Sequence, residues 1–467
     1  LAKKIPSDKW SFWKKTIVFI SIGVLVILLL IIILVAISNS TSKKSEEDGI
    51  DESKVTANIS CLFDIDQISE KTGILGKDFV KPNKFNILLD KKKIGFFREY
   101  EFSEPGQHIL SFLFYDRSIN LDNMFTGIKS LLSADINSTK NVSITSMKST
   151  FEDCEYLDTF TINGCNLNNL KSVQRLFYGT NNLEYLSLNF LSNIENIEDM
   201  SYLFAMSKLS SIDLTTLNTK KVKNMSHMFY GCGSLKSLDF TNLDTSLVED
   251  MSYMFSNCDS LSKLIFGDFK TNNVKNMSHM FSDCISLKQL EVSGFNTEKV
   301  EDMSYMFDSC SALSSLDVSN FNTENVKTMK GMFRYVGSLQ DINLMNLKTK
   351  NVKDFSYMFL NCFNLRRLDL NYLDTSSAED MSHMFDYCNS LEELKISNFK
   401  TGNVKNFTSM FFNCNYLTEL IVTSFDTSSG VDFSRLFKGC TDLKSRLNAE
   451  NLEKIIEHVK NLEQSFY

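Results

Sequence analysis

Hydrophobic residues recur along most of this chain at an interval of 26 residues. A phenylalanine marks each interval, and the spacing departs from 26 only in one step of 27 and one of 25. These thirteen marker phenylalanines are Phe125, Phe151, Phe177, Phe204, Phe229, Phe255, Phe281, Phe307, Phe333, Phe359, Phe385, Phe411 and Phe437. A repeat of this length predicts a solenoid, because a single unit cannot bury its apolar edge alone and must stack on its neighbours.

Within one repeat the pattern changes from a period of two to a period near 3.6. Leu264 and Phe266 alternate with outward positions, as in a short β-strand. Val274, Met277 and Phe281 are three and four residues apart, which predicts about two turns of helix. The predicted fold class is α/β, a leucine-rich-repeat-like solenoid of about 13 units of 26 residues. We expect the helix side to be longer than the strand side, which would curve the body.

The segments before the repeats have different patterns. Residues 16–37 carry no charge and are mostly Ile, Leu and Val, which predicts one transmembrane helix, long enough to span about 30 Å of hydrocarbon. Five lysines precede this run, so the positive-inside rule places residues 1–15 in the cytoplasm as a basic segment. The protein would then be a single-pass membrane protein with its repeat domain extracellular or lumenal. Residues 38–58 are polar and charged, as in a linker.

Two further segments flank the solenoid, which we place at residues 121–440. Residues 59–120 are rich in aromatic and branched side chains, and they predict a small β-rich domain with strands at 85–89, 94–102 and 109–115. This domain would also be the amino-terminal cap, because an uncovered terminal repeat exposes apolar surface. Residues 441–467 have an amphipathic helical pattern and would form the carboxyl-terminal helical cap.

Charged residues alternate in sign six positions before most of the marker phenylalanines. The first members of this charge column are Glu198, Lys223, Glu249, Lys275, Glu301 and Lys327. The alternation slips once at Lys353 and then resumes. If the coils stack in register, each Glu would lie beside a Lys of a neighbouring coil, and a slip by one coil would bring like charges together. A charge stripe that binds a ligand is the other interpretation.

Tyrosine and histidine alternate two positions before the markers. This aromatic column contains Tyr202, His227, Tyr253, His279, Tyr305, Tyr357 and His383. The residues would either stack between coils or form an exposed aromatic stripe that binds a partner. Histidines two coils apart are about 10 Å apart, too far to share one metal ion, so we expect neither a metal nor a cofactor.

Nine of the eleven cysteines form another column with the same period. Its members are Cys154, Cys232, Cys258, Cys284, Cys310, Cys362, Cys388, Cys414 and Cys440. The inward-facing period favours small buried thiols. Disulfides between neighbouring coils remain open, since adjacent coils bring Cα atoms within bonding range.

Composition and motifs limit the function. The formal net charge is −8, and an acidic body argues against a nucleic-acid partner because phosphate binding needs a basic surface. The chain contains no nucleophile elbow, phosphate-binding loop or HExxH sequence, so we do not expect an enzyme.

The repeat resembles a known family. The stretch from Phe295 to Cys310, followed by Leu313 and Leu316, is similar to the 26-residue surface-protein repeat of the BspA-like leucine-rich-repeat family. The resemblance is strong over 200–440 and looser over 121–199. It implies a cell-surface protein of adhesive type, without shared catalytic residues.

We therefore expect a membrane-anchored surface protein that binds an unidentified protein or glycan through its solenoid. The alternative is a structural surface coat or scaffold that assembles laterally through the repeats. In similar horseshoes the strand face contacts ligands, which makes Lys263, Ile265, Gly267 and their equivalents candidate contact positions.

Overall fold

The computed structural model describes most of the chain from residue 50 onwards. The described ranges are 50–68, 70–183, 186–192, 194–418, 420–422, 425–426 and 432–446. The predicted transmembrane helix at 16–37, the basic segment 1–15 and most of the linker lie outside these ranges, as does most of the helical cap. Among the described residues, none of the helices has the length and apolar character needed to cross a membrane.

The described part of the chain is built from strands and turns, with few helical residues. In chain order the strands are β1 (Ala57–Ile65), β2 (Thr72–Gly73), β3 (Phe85–Leu89), β4 (Lys92–Ile94), β5 (Glu99–Tyr100), β6 (Gly106–Phe114), β7 (Ser118–Asn120), β8 (Leu131–Asn137), β9 (Ser143–Ser146), β10 (Thr159–Asn163), β11 (Ser237–Asp239), β12 (Lys263–Ile265), β13 (Arg367–Asp369) and β14 (Glu393–Lys395). Two 3₁₀ turns span Glu52–Lys54 and Asn189–Leu191, and one short α-helix, α1, spans Thr441–Arg446.

The amino-terminal strands form one sheet with the beginning of the solenoid. The order in this six-stranded sheet is β10-β8-β1-β6-β3-β4. Strand β1 is antiparallel to both β6 and β8, whereas β10 joins β8 in parallel. Because β8 and β10 occupy the strand positions of the first two repeats, the amino-terminal strands cover the start of the solenoid through backbone hydrogen bonds.

Strand predictions in this region differ in accuracy. The segment 85–89 is β3, and 109–115 overlaps β6. The single strand expected at 94–102 is wrong, since only the end of β4 and the two residues of β5 are extended there. The reason is that Arg98 turns towards another segment: its guanidinium donates to the carbonyl oxygens of Gly76 and Phe79, and β5 pairs with β2.

The solenoid has a strand face, formed by the positions of β11 to β14 and their equivalents in the other coils. Strands of three residues pair in parallel with a 26-residue offset, as Leu238 with Leu264 and Leu368 with Leu394. The central leucine points inward and its two neighbours point outward, as the alternation predicts.

The opposite side of each coil, which we call the turn face, corrects the predicted fold class. The helix expected over residues such as 274–281 is wrong, because this segment consists of tight turns. Tyr253 and Asn257, two residues before and after a marker, have left-handed φ angles of 56° and 59°. A left-handed residue at every fourth position is incompatible with a right-handed helix.

Backbone hydrogen bonds between coils replace those that a helix would make. Tyr253 N donates to Ser278 O at 2.9 Å, and Phe255 N donates to Met280 O at 2.9 Å. A continuous series of parallel bridges follows this face from Ser172 to Asp432. This ladder sets the spacing of the turn face, so the expectation that a wide helix lengthens this side does not hold.

The marker phenylalanines form the centre of the core. Each is buried, and each ring lies beside the next, with successive centroids 5.4–6.2 Å apart from Phe125 to Phe437. The ladder also contacts the amino-terminal sheet, where Phe112 packs edge-on against Phe125 at 5.4 Å. One apolar core therefore extends from this sheet through the coils.

Candidate interaction surface

The charge column forms ion pairs within the chain. Lys223 Nζ lies 2.7 Å from Glu198 Oε2, and Lys275 Nζ lies 2.7 Å from Glu249 Oε2. Lys327 pairs with Glu301 in the same way. All these groups are exposed to water, so each pair contributes little stability.

The pairing changes where the alternation slips. Lys353 N donates to Lys327 O at 2.9 Å, so two lysines of the charge column stand on adjacent coils. Lys353 and Lys405 both reach Glu379, each at 3.0 Å. The Glu379 carboxylate therefore forms ion pairs with two ammonium groups.

The aromatic column is a stack of half-buried rings. Centroids are 4.1 Å apart for Tyr202 and His227, 4.5 Å for His227 and Tyr253, 4.2 Å for Tyr253 and His279, and 4.7 Å for His279 and Tyr305. The two ring planes differ by 8–23° in each pair. The rings contact one another, as the stacking interpretation predicts.

Arginines close both ends of this five-ring stack. The Arg175 guanidinium lies 5.2 Å from the Tyr202 centroid, and that of Arg334 lies 5.0 Å from the Tyr305 centroid. Both distances are within the range of a cation–π interaction. Arg334 is fixed by two hydrogen bonds to Asp308, at 2.9 and 2.7 Å.

Gly331 interrupts the column after Tyr305. A Cβ atom at Gly331 would lie only 2.4 Å from a carbon of the Tyr305 ring, so this ring packs directly over the glycine backbone. The column resumes with Tyr357 and His383, whose centroids are 4.8 Å apart. His383 Nδ1 also lies 2.7 Å from Asp386 Oδ2.

Burial governs the titration of the stacked histidines. It lowers the pKa of His227 to about 4, and it also lowers the pKa of His279. Burial raises the pKa of Tyr202, Tyr253 and Tyr305. In the part of the chain that the structure describes, no group of three or more His, Cys, Asp or Glu residues is arranged to hold a metal ion.

Other repeated polar residues also bond to the neighbouring coil or to their own turn. Thr245 Oγ1 donates to Lys270 O of the next coil at 2.8 Å. Asp250 Oδ1 accepts from Ser252 N at 2.9 Å, which closes a side-chain turn. The repeated polar positions of the coils therefore serve the fold.

The cysteine column confirms the buried-thiol interpretation. All nine members are buried free thiols, and none is bonded to a neighbouring coil in the structure. Each Sγ lies within hydrogen-bonding distance of the carbonyl oxygen of a marker phenylalanine, as Cys284 does with Phe255 at 3.2 Å. Burial raises the pKa of these thiols, for example to about 12 at Cys362.

The strand face differs from the other columns because its outward side chains vary from coil to coil. The residue before the central strand position is Ser211, Ser237, Lys263, Gln289, Ser315, Asp341, Arg367 or Glu393. The residue after it is Asp213, Asp239, Ile265, Glu291, Asp317, Asn343, Asp369 or Lys395. All of these side chains are exposed. Three coils share the same pair of serine and aspartate, and the other five coils each carry a different pair, so the chemistry of this face varies along the solenoid.

A stack of 26-residue coils, held by internal ladders and offering one long face of varied side chains, defines a repeat solenoid of the leucine-rich-repeat type. The family described as "Mycoplasma protein of unknown function, DUF285" matches residues 115–208, 190–290, 262–369, 287–391 and 355–467. These matches cover more than half of the chain, and the chain belongs to this family. They agree with the resemblance to BspA-like surface proteins and their 26-residue repeat.

Solved structures with similar folds are distant from this chain. A leucine-rich repeat protein from Eubacterium ventriosum ATCC 27560 is 16% identical, with a TM-score of 0.34 over 62% of this chain and 86% of its own. TLR13 in its complex with ssRNA13 is 15% identical, with a TM-score of 0.21 over 70% of this chain and 54% of its own.

The functional domain of InlJ from Listeria monocytogenes, which includes a cysteine ladder, is 14% identical, with a TM-score of 0.16 over 63% of each chain. Similarity at these levels carries no inference about partners. No curated protein matches the chain.

Proposed function

We propose that this chain is a membrane-anchored surface protein that binds a protein or glycan partner through the strand face of its solenoid. The apolar run at 16–37 would be the anchor, with the amino terminus in the cytoplasm and the repeats extracellular or lumenal. Membership of a family of surface repeats supports this proposal. The role is binding and not catalysis.

One contrast between the two faces carries the binding proposal. On the turn face the repeated side chains contact one another, as His227 does with Tyr253 and Lys275 with Glu249. On the strand face the exposed side chains change from coil to coil, as from Lys263 to Gln289. A surface whose side chains change along its length can favour one partner over another, and the strand face varies in this way.

Charge reversal on the two faces tests this assignment. The full chain would be displayed on cells and screened against immobilised proteins and a glycan array. The triple variant Lys263→Glu, Arg367→Glu and Glu393→Lys should weaken binding of any partner found by at least about tenfold, because like charges would now face each other. The control, Glu249→Gln on the turn face, should bind like the original chain. Loss of binding in the control alone would overturn the assignment of the strand face.

Protease treatment of intact cells tests the proposed orientation. An epitope placed after Tyr467 should be lost without lysis if the repeats are outside the cell. Its protection in intact cells, together with loss after permeabilisation, would contradict an extracellular solenoid. Resistance of the chain to alkaline extraction from membranes would test the anchor separately.

Lateral assembly into a surface coat is the alternative role. A coat held by the charge column would need free charges on the turn face, whereas most members of the column are paired within the chain. Ordered arrays of the full chain on a lipid monolayer, sensitive to Glu249→Gln, would favour the coat over partner binding.

A further inference from the structure

A cavity of about 510 Å³ opens on the strand face beside β12. It lies between the coil that contains β12 and the next coil along the solenoid. Within the described residues β12 pairs only with β11, the strand of the preceding coil. In the next coil, Gln289 does not pair with β12 but forms a bridge to Ser315 of the coil after it. The cavity therefore coincides with an interruption in strand pairing.

A single glycine accounts for the open space. Three later coils have asparagine at this position, and each side chain donates to a carbonyl oxygen of the preceding coil. The pairs are Asn320 with Ser293 at 3.1 Å, Asn346 with Ser319 at 2.9 Å, and Asn398 with Asn371 at 3.0 Å. Gly294 replaces this asparagine and cannot make the corresponding bond to Gly267. A Cβ atom at Gly294 would meet no other atom within 4 Å, so the missing side chain leaves room that neighbours do not fill.

The floor of the cavity is apolar. The lining includes Phe266, Phe269 and Phe295, whose rings contact one another with centroids 5.0–5.7 Å apart. Leu264 also lines the cavity and is half-buried, whereas its equivalent Leu238 is buried. The three rings are nearly buried, so the apolar carbon that faces the cavity comes mainly from Leu264 and from the exposed side chain of Ile265.

The rim is polar and contains both donors and acceptors. Asp268 and Glu291 supply carboxylates, Lys270 supplies an ammonium group that pairs with Asp268, and Asn272 and Asn296 lie beside them. The carboxamides can donate and accept at once. With two carboxylates and one ammonium group, the rim carries a net negative charge.

This combination identifies the chemistry of the ligand. A pyranose ring has an apolar C–H face that can pack on the apolar carbon of Leu264 and Ile265, and its hydroxyl groups both donate and accept hydrogen bonds. A purely apolar peptide side chain would fill the floor but leave the rim groups without partners, at a cost in free energy. The net negative charge of the rim disfavours an anionic sugar. A volume of about 510 Å³ lies in the ordinary range of small-ligand sites.

We propose that the cavity between β12 and the coil of Gly294 binds a neutral sugar residue of a glycan. The inference rests on the proposed binding function of the strand face and names its ligand class. The glycine is the determining feature, because the asparagine that three later coils have at this position would project into the cavity and bond to Gly267.

Saturation-transfer NMR on the full chain tests this site. The probes are glucose, galactose, mannose, N-acetylglucosamine and N-acetylgalactosamine, with sialic acid as the anionic comparison and a leucine-containing tripeptide as the apolar one. At least one neutral sugar should receive saturation from the protein. Gly294→Asn should weaken its binding by at least about tenfold, since the new side chain occupies the site.

The control variant is Asn398→Gly, which removes the equivalent asparagine from a distant coil. It should bind the sugar like the original chain. Gly294→Asn should also keep the thermal unfolding midpoint, because it introduces the residue that three later coils accommodate at this position. Loss of binding is then not caused by unfolding.

Several results would overturn the proposal. These are no binding of any neutral sugar, equal binding by Gly294→Asn, or binding of sialic acid or the tripeptide alone. The partner-binding assay with the strand-face charge variants separates this failure from failure of the proposed function. If those variants still lose a partner while no sugar binds, the function stands and the sugar site does not.

Discussion

At the scale of single residues, stacking between two tyrosines removes water from a histidine ring without providing a hydrogen bond that would stabilise its charged form. His227 is sandwiched by Tyr202 and Tyr253, and within the described residues its Nδ1 atom is buried without a hydrogen-bond partner. Burial accordingly lowers its pKa to about 4. The stack therefore selects the neutral imidazole, which packs as a flat ring without the cost of a buried charge.

Acidification from pH 7 to pH 5 should destabilise the solenoid. In the unfolded chain His227 takes up a proton near pH 6.5, whereas in the folded chain it does so only near pH 4. Between these values the unfolded state binds more protons, so the free energy of unfolding falls as the pH falls. Since the ring is only half-buried, we expect a loss of about 1 kcal/mol, measured by urea unfolding at both pH values.

His227→Tyr provides the control for this effect, because tyrosine occupies the same position in neighbouring coils. The variant should retain the stack and show a smaller loss of stability between pH 7 and pH 5. His279, whose pKa is also lowered, should account for part of what remains. A pH dependence unchanged in His227→Tyr would show that the ring does not titrate as the stack requires.

At the scale of one element, the difference between helix and turn face shows what the sequence could predict. The spacing of Val274, Met277 and Phe281 would place these side chains on one side of a helix, and the observed turns also bury all three. In the turn face, backbone N–H groups at alternate positions bond to the next coil, as Phe255 does to Met280. These bonds exist only once coils stack, so a single repeat gives no sign of them.

The sequence nevertheless contains a signal for the turns, in the residues that recur two positions after the marker phenylalanines. Two positions after the marker, the left-handed residue is Gly127, Gly179, Gly231 or Gly439 in four coils, and Asp153, Asn257, Asp283, Asn361 or Asn413 in five others. Glycine, asparagine and aspartate adopt positive φ more readily than other residues. Tyrosine at the other left-handed position has no such preference, and the bonds between coils hold it there.

Other features of the structure could be predicted from the sequence because they depend only on the period of the repeat. The marker ladder, the buried thiols and the alternating ion pairs follow directly from a 26-residue spacing. The cavity could not be predicted, because the residue at the position of Gly294 varies between coils and its effect depends on what the neighbouring coil leaves open.

Ser309 tests the left-handed positions of the turn face. Its φ is 57°, and glycine would adopt this value without the steric cost of a Cβ atom. Ser309→Gly should therefore raise the free energy of unfolding by about 0.5–1 kcal/mol in urea titrations. The matched control is Ser304→Gly in the same coil, where φ is not positive and the added freedom of the unfolded chain should lower stability. Changes of the same sign in both variants would contradict the assigned conformation.

At the scale of the whole molecule, the repeat has a true period of two coils. Acid and base alternate from Glu198 to Lys327, and the slip at Lys353 divides the solenoid into two segments with opposite phase. Each exposed ion pair adds little, but a shift by one coil would change the sign of every contact in the column. The charge column should therefore act mainly on register.

Two deletions of one coil separate this effect from the loss of a repeat. Removing residues 257–282 takes out Lys275 and places Glu249 beside Glu301. Removing residues 335–360 takes out Lys353 and places Lys327 beside Glu379, which restores the alternation. Both variants lose 26 residues and one ring of the marker ladder, so they differ mainly in the charges that meet.

We expect the 335–360 deletion to be the more stable of the two by a small margin, because it creates an attractive contact where the other creates a repulsive one. Urea unfolding at low salt would measure the difference. Since these charges are exposed, about 1 M NaCl should screen them and bring the two midpoints together. A difference that persists in high salt would have to come from the packing of the removed coils. The charge column would then have no part in setting the register.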